Sequence, residues 1–196
     1  MRSFWSQKIS NRLPALPKIE TATFNQHFGD VSIKIIKHKD TSVLNSFCGG
    51  DLGLHTFLTT FSPTMSVYYE QNRNKSIKQL NLNNLYRTVI DHMLDLNDTV
   101  FLGDLEMSDS YIDNYRFNIF KKLLINESIK RNKNVHLIPE HFTTRTCSKC
   151  GLLKFMGPSR IFKCDCGFIA CRDLNAAKNI LIRGIITTNQ VVVSYV

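Results

Sequence analysis

Cys147-Ser-Lys-Cys150 and Cys164-Asp-Cys166 are two cysteine pairs joined by a short basic loop, and no other stretch limits the fold as tightly. Two turns that each present a pair of thiolates make the closed, tetrahedral four-sulfur shell preferred by structural Zn²⁺. The second pair is C-x-C rather than C-x-x-C, a tighter bite, and Cys171 lies close enough in sequence to be a substitute ligand. Cys48 sits inside an apolar stretch and reads as a buried free thiol. No stretch approaches the ~20 apolar residues of a spanning helix. The opening MRSFWSQKISNRLPALPK lacks the apolar region of a signal peptide, so the chain reads as soluble and intracellular, without a membrane partner. In such a reducing compartment, tight cysteine spacing means metal rather than disulfide. A ribbon of this size cannot build its own core, and metal binding must supply much of its folding energy. At 196 residues the chain has room for one fold carrying such a metal-stapled appendage.

The remainder alternates between two periods. Residues 1 to about 25 have two prolines and little periodicity, and read as an irregular arm. Val31, Ile33 and Ile35 alternate with Ser32 and Lys34 as a strand does. From Val43 three short segments rich in β-branched and aromatic residues, VLNSFCGGD, TFLTTFSP and SVYYE, predict an antiparallel meander with Asp51 ending its first strand. NLYRTVIDHMLDL predicts a helix ending near Asn97, and TVFLGDLEM a fourth strand. The run from Tyr111 to Arg131 places Tyr115, Ile119, Leu123 and Leu124 on one helical stripe, and VHLIP predicts a fifth strand. LNAAKNILIR is expected to be a helix stopped by Gly184, ahead of an apolar VVVSYV tail. The order β-β-β-α-β-α-β defines an α/β fold, a mixed sheet flanked by helices.

A formal charge of +9, with 25 Lys and Arg spread along the chain, suits a polyanionic partner such as a phosphate backbone. Two acids stand out. Asp51 is flanked by Gly49, Gly50 and Gly53, which permit close approach of backbone or substrate; the alternative is a turn-initiating aspartate. A dinucleotide loop is excluded there, because a hairpin strand rather than a helix follows. Asp173 stands where a helix N-cap would, and on local physics alone capping is the better reading.

GGDLGLHTFLTTFSP resembles the first RuvC motif of the TnpB transposon nucleases and their eukaryotic and viral relatives, the Fanzor proteins. EHFTTRTCSKCG followed by FKCDCGFIACRDLNAAKNIL resembles their zinc ribbon and third RuvC motif, whose usual form is Asp-Arg-Asp-x-Asn-Ala-Ala. The likeness runs from about residue 43 to 184, with its landmarks in the family's order. It implies an RNase H-like (RuvC) core, Mg²⁺-dependent DNA cleavage and a guide RNA from the same mobile element. Two-metal hydrolysis needs about three converging carboxylates around ions ~4 Å apart. The resemblance makes Asp51 the first and Asp173 the third, with Arg172, Asn175 and Ala176 in the surrounding signature and Cys171 replacing an aspartate that is not the catalytic one.

Gly103 stands where bacterial relatives carry the middle glutamate, in a motif like Ile-Val-Glu-Asp-Leu. Fanzor-like members often have Gly or Pro there and use a glutamate just ahead of the ribbon, the place of Glu140. Glu106 is the second candidate and Asp104 the third, both with the ordinary alternative of a solvated loop acid. Lys149, Lys154, Arg160, Lys163 and Arg172 surround the ribbon as phosphate contacts or plain surface. Phe142, Phe155 and Phe162 stack on bases or, the favoured reading, fill a small core.

The expected organisation is an arm or β-barrel remnant at 1–42, a nuclease core at 43–139 and 167–186, a zinc ribbon at 140–166 and a tail at 187–196. Family members carry a larger barrel and a helical lobe before the first motif, so the chain reads as N-terminally truncated. In a eukaryotic host its place would be the nucleus. Two functions follow: a nuclease acting on DNA, or a catalytically inactive remnant that binds DNA through its ribbon.

Overall fold

Val31, Ile33, Val67 and Tyr69 are buried on one face of neighbouring outer strands while Lys34 opposite is exposed, whereas the central strands Phe47–Leu52, Leu58–Phe61 and Thr99–Asp104 are buried on both faces. A computed structural model of the chain describes residues 22–28, 31–38, 46–71, 81–104, 116–155 and 157–188. Its strands are β1 (Ala22–Phe28), β2 (Val31–Lys37), β3 (Phe47–Leu52), β4 (Leu58–Phe61), β5 (Met65–Gln71), β6 (Thr99–Asp104) and β7 (Asn134–Pro139). They form one seven-stranded sheet in the order β1-β2-β5-β4-β3-β6-β7. β1 through β5 pair antiparallel, whereas β6 lies parallel to β3 and β7 parallel to β6. This is the RNase H-like mixed sheet expected from the resemblance, with β1 and β2 added at one edge. The strand over Val31–Lys37, assigned to a separate arm on sequence, is paired along its length with β5 and is continuous with the core. β1 lies in the stretch read as irregular; its sequence, ATFNQHF, carries no clean alternation of period two.

Helices cover both faces. On one, α1 (Leu82–Leu96) and α2 (Phe117–Lys130) bury Leu85, Val89, Met93, Phe117, Phe120 and Leu124 against Ile33, Leu58, Tyr69, Val100 and Leu102. α1 starts where the Asn81 side chain accepts from the backbone N–H of Asn84 at 3.1 Å, and it ends at Asn97 as expected. In α2 the buried stripe is Phe117, Phe120, Lys121, Leu124 and Ser128. Ile119 and Leu123, placed on the inner face by sequence, are 44% and 41% exposed. The aromatic cluster decides this rotation: Phe120 meets Phe57 edge-on with ring centroids 5.0 Å apart, and Phe117 stacks on Phe57 at 5.8 Å. Tyr115 lies outside the described residues, as do residues 189–196, which hold the tail.

The opposite face carries α3 (Arg172–Thr187), whose Leu174, Ala177, Ile180 and Leu181 pack on Phe47, Phe61, Phe101 and Ile138. Gly184 does not stop this helix. It is buried inside it, because a Cβ there would overlap the Phe101 ring, and α3 runs on to Thr187. The ribbon adds the hairpin β8 (Ile161–Lys163) and β9 (Ile169–Cys171), which leads directly into α3. No helix among the described residues is long and apolar enough to cross a membrane.

Candidate metal centres

The four ribbon cysteines come together. Among the described residues theirs is the one group of three or more Cys, His, Asp or Glu whose ligand atoms all lie within 4.8 Å of one another. Sγ of Cys147 is 3.8 Å from Cys166, and Cys150 is 3.6 Å from Cys164. A tetrahedral shell with Zn–S bonds of about 2.3 Å sets its sulfurs about 3.8 Å apart, so the geometry fits that ion. Cys171 is exposed and outside the group. The two knuckles turn at Gly151 (φ 74°) and Gly167 (φ 83°), left-handed positions that glycine takes without steric cost. The tighter C-x-C bite is accommodated because Gly167 N–H returns to the Cys164 carbonyl at 2.9 Å. Burial pushes the Cys147 thiol up to about 12, so a cation is needed to hold it as thiolate. Phe162 is fully buried beneath this cluster with its ring 6.4 Å from Phe168, as a core residue should be. Phe142 and Phe155 differ: they are 55% and 83% exposed, and the Arg145 guanidinium lies 5.5 Å from the Phe155 ring.

The second centre lies where β3, β6 and β7 end, the side of a parallel sheet at which α/β proteins bind ligands. Asp51 is inside β3 and opposite Thr59 rather than in a turn, buried to 7% exposure. Gly49, two residues earlier on the same face, lets α3 sit against the strand: a Cβ there would lie 2.6 Å from Leu181 N and overlap the Ala177 carbonyl. Two residues onward along β3 covers about 6.6 Å, and one turn back along α3 covers 5.4 Å. Those two steps lead from the Gly49–Ala177 contact to Asp51 and Asp173. Asp173 is not the N-cap. The cap position is Cys171, without a side-chain cap bond, and Asp173 stands in the first turn with its carboxylate 3.8 Å from Arg172 Nε.

Glu140 follows β7 directly, and its side chain lies over Gly103 on the neighbouring strand; a Cβ on Gly103 would overlap Oε1. Arg183 of α3 clamps the backbone on both sides, donating to the Pro139 carbonyl and, at 2.8 Å, to the His141 carbonyl. The Thr143 hydroxyl and backbone N–H both donate to the Glu140 carbonyl at 3.0 Å. Burial, then the charges of Glu140 and Asp173, raise the Asp51 carboxyl well above the usual range, with Arg172 opposing. Burial also lifts Glu140 to about 7, against the pull of Lys121 and with a further push from Asp104. Asp51 thus feels both Glu140 and Asp173, although the three carboxylates do not gather within 4.8 Å of one another. Asp104, near enough to act on Glu140, is itself paired with Lys121 at 2.5 Å, and Glu106 lies outside the described residues.

Among the described residues, four buried side-chain atoms have no hydrogen-bond partner, and three belong to this site: Glu140 Oε1, Arg172 Nε and Thr59 Oγ1. Such orphans are rare and concentrate where an ion or ligand completes the bonding. Hard divalent cations take carboxylate oxygens, and bound cations lower the carboxyl pKa values that crowding raises. In donor chemistry, carboxylate oxygens such as the unpartnered Oε1 of Glu140 are what Mg²⁺ takes.

The two centres are joined through α3. Asn175 Oδ1 accepts from Ser148 N–H at 3.0 Å and its Nδ2 donates to the Thr146 carbonyl at 2.8 Å. Asn179 donates to the Thr143 and Thr146 carbonyls at 2.7 and 2.6 Å. Lys178, buried between them in sequence, lies 4.7 Å from the Phe61 ring and 5.4 Å from the Phe168 ring, and burial lowers it to about 8. Sequence reasoning missed Arg183, Asn179 and Lys178; for Asn179, polar residues one turn apart on an apolar helix were the available signal. Among the basic residues expected at phosphates, Lys154 pairs with Asp165 at 2.5 Å.

Comparison with known proteins agrees with this architecture. Residues 117–180 match the family model described as Cas12f1-like, TNB domain. The chain is 30% identical to "Putative transposase R186" of Acanthamoeba polyphaga mimivirus, over 70% of this chain and 40% of that protein. It is 38% identical to "TnpB-like protein L79" of the same virus, over 47% of this chain and 17% of that protein. The chain thus spans less than half the length of these curated relatives. A Cas12f1 chain, solved as a Cas12f1–sgRNA–target DNA complex, superposes with a TM-score of 0.53 at 18% identity, over 76% of this chain and 55% of that one. Fold and relatives together define a transposon-associated nuclease family with an RNase H-like core. Within it, the chain is a TnpB-family protein.

Proposed function

We propose that this chain is the catalytic portion of a Mg²⁺-dependent endonuclease that hydrolyses DNA phosphodiesters, with Asp51, Glu140 and Asp173 as the metal-binding carboxylates. The observation that carries the reading is Glu140: its carboxylate sits over Gly103, where relatives have their middle acid, and interacts with Asp51, which in turn interacts with Asp173. Bound Mg²⁺ would supply an activated water and stabilise the leaving 3′ oxygen, giving a 5′ phosphate and a 3′ hydroxyl. The chain's own residues hold the geometry: Gly49 seats α3, Arg183 fixes the backbone around Glu140, and Arg172 balances the acids' charge. Cys147, Cys150, Cys164 and Cys166 hold a structural zinc, and residues 140–166 form a ribbon inserted between the two parts of the core. The partners are DNA and a guide RNA from the same locus, a reading supported by the guide and target named for the Cas12f1 structure.

The test is Mg²⁺-dependent cleavage of labelled DNA by the purified chain with RNA from its own locus, comparing wild type with Asp51→Asn and Glu140→Gln. Loss of cutting in both variants is expected. Cutting by Glu140→Gln would pass the role to Glu106. DNA retained but never cut would make the chain a catalytically inactive ribbon-bearing DNA binder.

A further inference from the structure

The strand register places Asp51 opposite Thr59, Thr59 opposite Tyr68, Tyr68 opposite Lys34 and Lys34 opposite Asn25. Directly opposed residues of antiparallel strands point to the same face. These five therefore make a single row across the sheet, on the side that carries α3. The helix covers only the inner end, packing on Phe47, Phe61, Phe101 and Ile138. Asn25 and Lys34 are exposed and Tyr68 is half-buried.

A polar outer face is ordinary for antiparallel strands. Three features here are not. Thr59 Oγ1, fully buried between Asp51 and Tyr68, has no hydrogen-bond partner. The Lys34 ammonium stands 5.9 Å from the centre of the Tyr68 ring. Burial, with smaller contributions from neighbouring Cys171, Asp173 and Glu70, pushes the Tyr68 hydroxyl far up, so it stays protonated and able to donate beside the acids. Glu70, opposite Ser32 at the flank, is the acid beside the row on these strands. With strands about 4.8 Å apart, Lys34 is about 14 Å from Asp51, and the row presents in turn a cation, an aromatic ring, hydroxyls and the carboxylates.

The geometry points to a strand path: a single-stranded stretch of DNA crosses β2, β5 and β4 to reach the acids, with a backbone phosphate on Lys34 and an unpaired base on the Tyr68 ring. This rests on the nuclease reading above and adds a substrate-binding subsite to it. An aromatic ring on an open sheet face accepts an unpaired base without sequence preference, and a lysine beside it neutralises a phosphate. A base within a duplex would not expose its face to Tyr68, so the path is for single strands.

The experiment uses the full chain. Binding of a labelled oligothymidylate is measured with Mg²⁺ in the non-cutting Asp51→Asn background, and cleavage kinetics in the otherwise wild-type chain. Lys34→Gln is expected to weaken binding about fivefold, to raise KM with kcat kept, and to lower the slope of log affinity against log salt by about 0.7. Lys34→Arg should restore the slope. Tyr68→Ala should lose about tenfold in affinity while Tyr68→Phe retains it. Lys122→Gln, exposed on α2 beneath the other face, is the control and should change nothing. If Lys34→Gln and Tyr68→Ala match that control while DNA is bound, the strand path is wrong and the nuclease reading is untouched. If wild type binds but never cuts, the nuclease reading fails, while the binding series still decides the path. If the chain binds no oligothymidylate even at low salt, both fall.

Discussion

The carboxylate of Glu140 occupies the space above Gly103: a Cβ added to that glycine would overlap Oε1 and lie 2.6 Å from Cδ. The two positions are mutually exclusive, since a side chain on one displaces the other. Gly103→Ala should therefore push the flexible Glu140 side chain out of place at a cost of no more than about 1 kcal/mol in stability, and reduce Mg²⁺-dependent cleavage at least tenfold. The double variant Gly103→Glu with Glu140→Gly returns the acid to the strand, and should cut better than either single variant. Chemical denaturation and cleavage rates of wild type and the four variants check both statements.

Glu140, lifted to about 7 chiefly by burial, makes stability depend on pH in a defined sense. A carboxyl raised above its unfolded value contributes stability that is complete below about 4.5 and lost as pH rises through about 7. Asp51 is shifted in the same direction. Without added Mg²⁺ the Tm should fall between pH 5 and pH 8, by the equivalent of up to about 3 kcal/mol for Glu140 alone. Mg²⁺ needs the ionised form, so its stabilising effect should grow over the same interval. Glu140→Gln should flatten both curves in a calorimetric titration.

Arg183 pairs with no acid among the described residues, yet it grips the backbone on either side of Glu140. Arg183→Ala is expected to cost only about 1 kcal/mol in stability, as for exposed hydrogen bonds. Cleavage should fall by roughly 10–100-fold, as when a residue that orients a metal ligand is removed. A weaker half-saturation for Mg²⁺ would identify the loss as one of ligand placement; an unchanged rate and Mg²⁺ dependence would count against it.

Stripping the ribbon metal, or Cys150→Ser, should be felt beyond the ribbon. A structural zinc contributes on the order of 10 kcal/mol to folding its module. The carbonyls of Thr143 and Thr146 that receive Asn175 and Asn179 lie just ahead of the first knuckle. Hydrogen exchange is expected to rise in the ribbon and also over the first two turns of α3, around Asp173. Exchange confined to residues 147–166 would refute the coupling.

The sheet was legible because its signals are local. Ile33 beside Lys34 announces both strand and face, and the unbroken apolar run Val100-Phe101-Leu102 a short strand buried on both faces. The rotation of α2 was not, because its sequence offers Ile119 and Leu123 as well as Phe120 and Leu124, and only the distant Phe57 selects between them. Gly184 misled for a related reason: local rules make a glycine at that place a helix stop, whereas contact with Phe101 from a strand some eighty residues earlier requires it inside the helix. The four cysteines were found by spacing alone. Glu140 came only from resemblance, since nothing in PEHFTTRTC reveals that a glycine on another strand leaves room for its side chain.

Two asparagines one turn apart, Asn175 and Asn179, fasten the ribbon to the same helix that carries Asp173. The ribbon is consequently no swinging tether searching the solvent for DNA. It is one end of a rigid ruler whose other end is the acid cluster. On the nuclease reading, a strand gripped at the ribbon would meet the carboxylates at an offset fixed by the protein, and the distance from grip to scission, counted in nucleotides, would be a constant of the molecule.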